Sequence, residues 1–178
     1  KDAGVDAVKV QTYTADTLTL QSDKEFFAIK EGSPWSGRTL YDLYSETNMH
    51  WQWQPKLKTI ANELGLDFFS TGFDFSSVDF LERMDVPVHK IASFEIVDIP
   101  LIEKMGRTKK PLIISTGMAS VQEIKEAVSA AKEAGAQQIA LLKCTSAYPA
   151  DFKDMNLRSI PQLAKKFKVP IGLSDHTL

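Results

Sequence analysis

Six short apolar runs in this sequence each end in polar residues of kinds that handle anions. Lys9 and Gln11 close the first, and Ser70 and Thr71 the second, with Asp74 just beyond. Lys90, Ser93 and Glu95 follow the third run, and Ser115 and Thr116 the fourth. Lys143, Thr145, Ser146 and Tyr148 follow the fifth; Ser174, Asp175 and His176 follow the sixth. Lysines on separate runs, backed by several hydroxyls, suit a ligand carrying both phosphate and carboxylate, because such a ligand needs point charges and many donors. Lys90 is the most telling of them. It interrupts an otherwise apolar stretch, and a buried lysine without a partner must lose its proton or find an anion. Glu95 offers a carboxyl group for proton transfer. His176 offers an imidazole to a divalent metal, although a lone histidine is more often a hydrogen-bonded structural residue. One protein ligand is too few for a tight site, so any metal needs others from further sequence, substrate or water. His50 and His89 have no ligand-like spacing to it. Cys144 would need an adjacent base to act as a nucleophile and needs nothing to pack as a small apolar residue, which is how we read it. Trp51 and Trp53, near a helix start, are read as packing residues.

The runs themselves predict the scaffold. Val5–Gln11, Leu66–Thr71, Val88–Ser93, Pro111–Thr116, Gln138–Cys144 and Val169–Ser174 have the near-continuous apolar character of strands buried on both faces of a parallel sheet. Between them the apolar residues recur at helical spacing. Val121–Glu133 places Val121, Ile124, Val128 and Ala131 on one stripe, starts with a Ser120/Glu123 capping box and stops at Gly135. Trp53–Leu64, Ser77–Met84 and Ile160–Phe167 read as further helices. Alternation of this kind implies an α/β fold with a parallel sheet and right-handed crossovers. The closure is either an open doubly wound sheet or a (βα)8 TIM barrel. No GxGxxG or P-loop follows a strand, which weakens the nucleotide-binding alternative. We therefore expect a partial barrel with about six of eight strands, its chemistry beyond the C-terminal strand ends. The segment from Thr12 to His50 is too long for an ordinary βα loop and rich in Tyr, Trp, Ser and Thr; we expect it to cover the site.

Composition narrows the functional class. The 178 residues include 43% apolar and 25% charged residues, a globular balance. Net charge is −2, from 21 basic and 23 acidic side chains, and no basic block stands out, which argues against a nucleic-acid or anionic-membrane surface. The single cysteine rules out an intrachain disulfide framework. The longest apolar runs are about five to seven residues, against roughly 20 needed to span a bilayer. No signal peptide opens the sequence, and a reducing, cytoplasmic setting is expected. Lys1 is not an initiator, the opening KDAGVDA reads as a helix tail entering a strand, and nothing follows the last run. We expect a segment of a longer chain.

Taken together, KVQTY (9–13), FFSTGFD (68–74), KIASFEIVDIPLI (90–102), KPLIISTGM (110–118), LLKCTSAYP (141–149) and GLSDHTL (172–178) resemble the sialic acid synthases, which condense phosphoenolpyruvate with an amino sugar. The strings occur in family order over essentially the whole chain. QTYTADTLTL, FEIVDIPLI and LLKCTSAYPA are most similar to the branch that makes pseudaminic acid from a 2,4-diacetamido-2,4,6-trideoxy hexose; sialic and legionaminic acid are the alternative products. The resemblance implies that Lys9, Thr71, Lys90, Ser93, Ser115 and Ser174 hold phosphoenolpyruvate. It implies that Gln11, Ser146 and Tyr148 meet the sugar, that Glu95 and Lys90 are catalytic, and that His176 is one of two histidines binding Mn2+ or Mg2+. Enzymes of the family that take N-acetylmannosamine often carry Asn where Ser146 stands, so this position departs from their pattern. The first barrel strand, the last strand with the second histidine, and a C-terminal antifreeze-like domain of the family lie outside the chain. That domain completes the partner subunit's sugar site in domain-swapped homodimers of the family, so the segment alone is expected to be inactive. Two rival readings remain: a Schiff-base aldolase acting through Lys90, and a non-catalytic barrel that binds an acidic sugar.

Overall fold

The computed structural model describes residues 1–30, 32 and 35–177. Its centre is one sheet of six parallel strands: β1 (Ala7–Thr12), β2 (Asp67–Gly72), β3 (His89–Ile91), β4 (Leu112–Ser115), β5 (Ile139–Cys144) and β6 (Ile171–Ser174). Each predicted strand is present, shortened by one to three residues at one or both ends or shifted slightly. The strands neighbour one another in chain order from β1 to β6. A doubly wound sheet reverses its order at a switch point; this one does not, and it curves as a half-barrel.

Helices follow the strands in alternation. α3 (Gln54–Glu63), α4 (Phe75–Arg83), α5 (Ile99–Arg107), α6 (Val121–Ala134) and α7 (Ser159–Phe167) cover the convex side, while α1 (Ala15–Leu18) and α2 (Leu40–Thr47) lie in the long connection after β1. α6 begins as its sequence predicts: Ser120 Oγ accepts from the Glu123 amide at 3.2 Å, and Glu123 Oε2 accepts from the Ser120 amide at 2.6 Å. It ends at Gly135, whose φ of 121° is open only to a residue without Cβ. α5 was not among the predicted helices, because Pro100 and Gly106 interrupt its pattern; Pro100 sits in its first turn, where a missing amide is harmless, and Asp98 caps it by accepting from Leu101 N at 3.0 Å. The 12–50 segment, expected as a covering loop, contains α1, α2 and a short 3-10 turn. Among the described residues no helix is long and apolar enough to cross a membrane.

The core lies between the convex face of the sheet and the helices. Ile91, Leu112, Ile114, Ile139 and Leu141 meet Leu101, Ile102, Met105, Ile124, Ala127 and Ala131 there. A smaller cluster of Ala61, Leu66 and Phe68, with Val10 and Leu57, seats α3 on β1 and β2. Trp51 takes part in packing, 5.0 Å from the Phe80 ring, and donates through Nε1 to the Tyr13 carbonyl at 3.1 Å. Trp53 corrects the expectation: it is 59% exposed and touches only the His50 ring edge-on among the aromatic contacts.

Helices α5 and α6 approach each other closely at Gly106 in α5. A Cβ there would meet the Ala131 carbonyl oxygen and Ala134 Cβ, both at 2.8 Å, in α6. The obstruction is backbone, which cannot swing away. Gly106→Ala should therefore lower the unfolding free energy by about 1–3 kcal/mol, as overpacked cores do. Urea denaturation should show an earlier midpoint with an unaltered slope; an unmoved midpoint would mean the two helices separate without cost.

Candidate active site

Strand register decides which polar residues share a face. Gln11 pairs with Thr71 and Thr71 with Lys90 across β1, β2 and β3; Cys144 pairs with Ser174 across β5 and β6. Adjacent partners in a parallel sheet point the same way, and parity along each strand adds Lys9 and Ser115 to this set. All lie on the concave side, opposite the apolar residues under the helices. The intervening residues point outward and are consumed there. Ser70 belongs to a buried chain in which Ser70 and Thr12 hydroxyls meet at 2.7 Å, Thr12 donates to Gln54 Oε1 at 2.9 Å, and Gln54 Nε2 donates to the Gln11 carbonyl at 3.4 Å. It braces the end of β1 that carries Gln11.

Lys143 also leaves the predicted ring. It shares the face of Ile139 and Leu141, and its ammonium donates to Cys144 O at 2.8 Å and Thr145 Oγ1 at 3.2 Å. Asp74 is the N-cap of α4, accepting from Ser76 N at 2.8 Å and Ser77 N at 3.0 Å. Burial pushes its pKa upward, but the bonds from Ser76 and Ser77 outweigh this and hold it below the ordinary value. Thr116 donates to Leu142 O, and Asp175 accepts from Thr177. His89, beside Lys90 in sequence, points to the helices, where its Nε2 lies 2.8 Å from Glu82.

Lys90 is 6% exposed and donates to Ser115 Oγ at 2.6 Å and to the Ile91 carbonyl at 2.7 Å. Burial and the charge of Lys9 lower its pKa from 10.5 to about 8, against smaller upward pulls from Cys144 and Glu95. Burial at its ammonium end also lowers Lys9, although much of that side chain is exposed on β1. Among the described residues, neither lysine forms an ion pair. Two ammonium groups thus face one concavity with hydroxyls of Thr71, Ser115 and Ser174 and no carboxylate bound to either.

The other site residues come from the loops beyond the strands. Glu95 lies in a 3-10 turn, Phe94–Val97, after β3. Its Oε2 is buried without a hydrogen-bond partner, and burial raises its pKa against the opposing pull of its own backbone amide and of Lys90. It keeps its proton to higher pH than an ordinary glutamate. Glu95 forms part of a cavity of about 470 Å³ with Gln11, Tyr13, Tyr44, Phe73 and Tyr148. Tyr13, Tyr44 and Phe73 were not singled out from sequence; Tyr13 holds the long segment over the strand ends through edge-on contacts with Tyr44 at 6.0 Å and Phe73 at 5.5 Å. Tyr13, Leu18 and Tyr44 of that segment, expected to cover the site, stand in the wall of this cavity.

His176 sits across the mouth, 4.4 Å from the Tyr148 ring centroid. Its Nδ1 lies 3.0 Å from the Thr145 carbonyl, which can only accept, so Nδ1 carries the proton. Nε2 then keeps a lone pair, approached among the described residues by Ser174 Oγ at 3.4 Å. A backbone carbonyl fixing one ring nitrogen so that the other can ligate is the usual arrangement around metal-binding histidines. The tautomer fits a metal ligand, yet among the described residues no group of three His, Cys, Asp or Glu could hold an ion. Cys144 is buried, with Sγ 3.8 Å from His176 Nδ1 and 3.9 Å from Ser146 Oγ.

The lysine geometry sets a pH dependence. Above about pH 8, Lys90 loses the charge that an anion would meet, so affinity for inorganic phosphate should fall as pH rises through that value. Titration calorimetry from pH 6.5 to 9.5 in the wild type and in Lys90→Met checks this; equal slopes in the two would refute it. The same shift makes the folded state bind fewer protons than the unfolded chain between about pH 8 and 10.5. Stability from this group should therefore rise with pH across that window.

The chain is 43% identical over 178 residues to the pseudaminic acid synthase of Helicobacter pylori, covering all of this chain and 52% of that protein. It is 40% identical over 182 residues to the N,N'-diacetyllegionaminic acid synthase of Legionella pneumophila, covering 51% of it. The crystal structure of an N-acetylneuraminic acid synthetase from Leptospira borgpetersenii, in complex with citrate, superposes with a TM-score of 0.82 at 31% identity, over 99% of this chain and 56% of that one. The chain spans about half the length of the curated relatives it matches. The family model named NeuB matches residues 1–178, and the chain belongs to the NeuB family.

Proposed function

We propose that this segment is the larger part of the catalytic barrel of a nonulosonic acid synthase, one that condenses phosphoenolpyruvate with an open-chain amino sugar. The observation that carries the proposal is the pair of unpaired ammonium groups, Lys9 and Lys90, facing one concavity beside an uncompensated buried carboxyl, Glu95. Because the chain spans about half of its relatives, the activity is assigned to a protein of full family length that carries it. The greater identity to pseudaminic acid synthases, together with Ser146, supports 2,4-diacetamido-2,4,6-trideoxy-altrose as the sugar and pseudaminic acid as the product.

In this reading Lys9 and Lys90, with Thr71, Ser93, Ser115 and Ser174, bind the phosphate and carboxylate of phosphoenolpyruvate. Their charges and donors are already oriented, so no reorganisation is needed as charge moves. The enol C3 attacks the C1 aldehyde of the sugar and forms the new C–C bond. Positive charge develops at C2 and is trapped by water; the resulting tetrahedral centre expels phosphate by C–O cleavage. Glu95, which burial makes keep its proton to higher pH than an ordinary glutamate, moves a proton to or from water or the sugar. Gln11, Ser146 and Tyr148 orient the sugar against the aromatic wall of the cavity. A divalent cation, Mn2+ or Mg2+, held by His176 Nε2 and by ligands from outside this chain, would supply Lewis-acid polarisation of the aldehyde. A C-terminal domain and a domain-swapped homodimer, as the family resemblance implies, would complete the site, and a cytoplasmic location suits the phosphoenolpyruvate supply.

The test uses the full-length protein stripped of metal, mixed with phosphoenolpyruvate and either the diacetamido sugar or N-acetylmannosamine, with phosphate release followed with and without Mn2+. Metal-dependent release with the diacetamido sugar alone is expected. Release with N-acetylmannosamine would move the protein to the sialic acid branch, and none with either would overturn the proposal. Glu95→Gln should lower kcat by about 10²- to 10⁴-fold with little change in the KM for phosphoenolpyruvate, the range for loss of a general acid. The low pKa of Lys90 also suits a Schiff-base amine. Borohydride added with substrate would trap a covalent adduct on that mechanism; none is expected here.

A further inference from the structure

Three loops meet at a residue with no side chain. Ser93 follows β3, Gly117 follows β4 and Ser146 follows β5. The Gly117 amide donates to Ser93 Oγ at 3.2 Å, in a buried setting. A Cβ on Gly117 would lie 2.8 Å from Ser93 Oγ and 3.2 Å from Ser93 Cβ, and would approach Ser146 Oγ more closely still, well inside van der Waals contact. Gly117 has no left-handed backbone that would demand glycine, unlike Gly135. What requires glycine here is space, and the space is filled from both sides by hydroxyls.

From this geometry we infer that Gly117 is a positioning residue joining the two substrate half-sites, letting the Ser93 and Ser146 hydroxyls converge and fixing the direction in which Ser93 donates. The inference rests on the proposed function, in which Ser93 meets phosphoenolpyruvate and Ser146 the sugar. The amide of Gly117 occupies a lone pair of Ser93 Oγ, so the hydroxyl proton is left free for an anion or sugar oxygen rather than for the loop. The vacant Cβ position is what allows the β5 loop, carrying Ser146 and Tyr148, to approach the β4 loop. A methyl group at 117 must push one hydroxyl away. Ser93 is tethered by its backbone to Glu95 two residues on, so its displacement also disturbs the carboxyl. Ser146 is half-buried and is the side that yields more easily.

The proposal predicts coupling between positions 117 and 146. In the full-length protein, Gly117→Ala should reduce kcat/KM by about tenfold or more, with KM rising for both phosphoenolpyruvate and the sugar. In a Ser146→Ala background, where the nearer of the two obstructing oxygens is gone and the β5 side can yield, the same substitution should cost about threefold or less relative to Ser146→Ala alone. Equal losses in the two backgrounds would overturn the inference, as would an unimpaired Gly117→Ala single variant. Thermal unfolding of each variant separates misfolding from misplacement: if Gly117→Ala alone fails to fold, the Ser146→Ala pair still decides, since the double variant must then fold and turn over. Wild-type protein without phosphate release would count against the proposed function instead, so the two failures are distinguishable.

Discussion

Lys90 carries the tightest constraint in the molecule. Its ammonium is nearly inaccessible and lies near a second lysine, and both facts raise the free energy of its charge; the bonds it donates to Ile91 O and Ser115 Oγ go to neutral oxygens and offset this without a counter-charge. Such a group is tolerated only if the surrounding structure is strong enough to hold it until an anion arrives. The convex face supplies that strength. On the strands beside Lys90 the outward residues are His89, Ile91, Leu112 and Ile114, all buried against helices, so β3 cannot turn to release the lysine without exposing the core. The site's electrostatic tension and the core's packing are therefore two faces of one sheet.

Parallel register extends that logic across the half-barrel. Because cross-strand partners point the same way, placing Lys90 inward obliges Thr71 and Gln11 to follow, and likewise joins Cys144 to Ser174. A one-residue slip of β4 would put Ile114 in the place of Ser115, and one of β1 would put Val8 or Val10 in the place of Lys9. Polar residues on the wrong parity are absorbed by structural work: Ser70 into the Thr12–Gln54 chain, Lys143 onto neighbouring backbone, Asp74 into the cap of α4. The ring of polar strand ends is half chemistry and half carpentry.

Chemistry of a different kind comes from the loops, where the strand rule no longer applies. Glu95, Ser146, Tyr148 and His176 lie beyond the strand ends and take their positions from turns, from the Gly117 junction and from the His176–Thr145 contact. The aromatic wall of Tyr13, Tyr44 and Phe73 is brought over them by the long segment after β1, whose Tyr13 is pinned from below by Trp51. Rigid strands hold the charges, and loops shape the cavity around them.

Much of this was legible in the sequence. Apolar runs alternating with amphipathic helices determined the parallel α/β scaffold, because strand and helix periodicities are local properties. A lysine within an apolar run announced an anion site, since burial of that charge has few other outcomes. Motif strings in order pointed to the family. Which of two adjacent polar residues faces the concavity was not legible, because Lys143 and Lys9 have equivalent local patterns and only cross-strand register separates them. The open choice between a doubly wound sheet and a barrel was likewise decided by the order of strands in space, which depends on long-range packing. Gly117 looked like one more loop glycine in STGM until the positions of Ser93 and Ser146, 24 residues before it and 29 after, filled the space around it. Side-chain type and period are written in neighbouring residues; convergence is a property of distant ones, and only the folded chain brings them together.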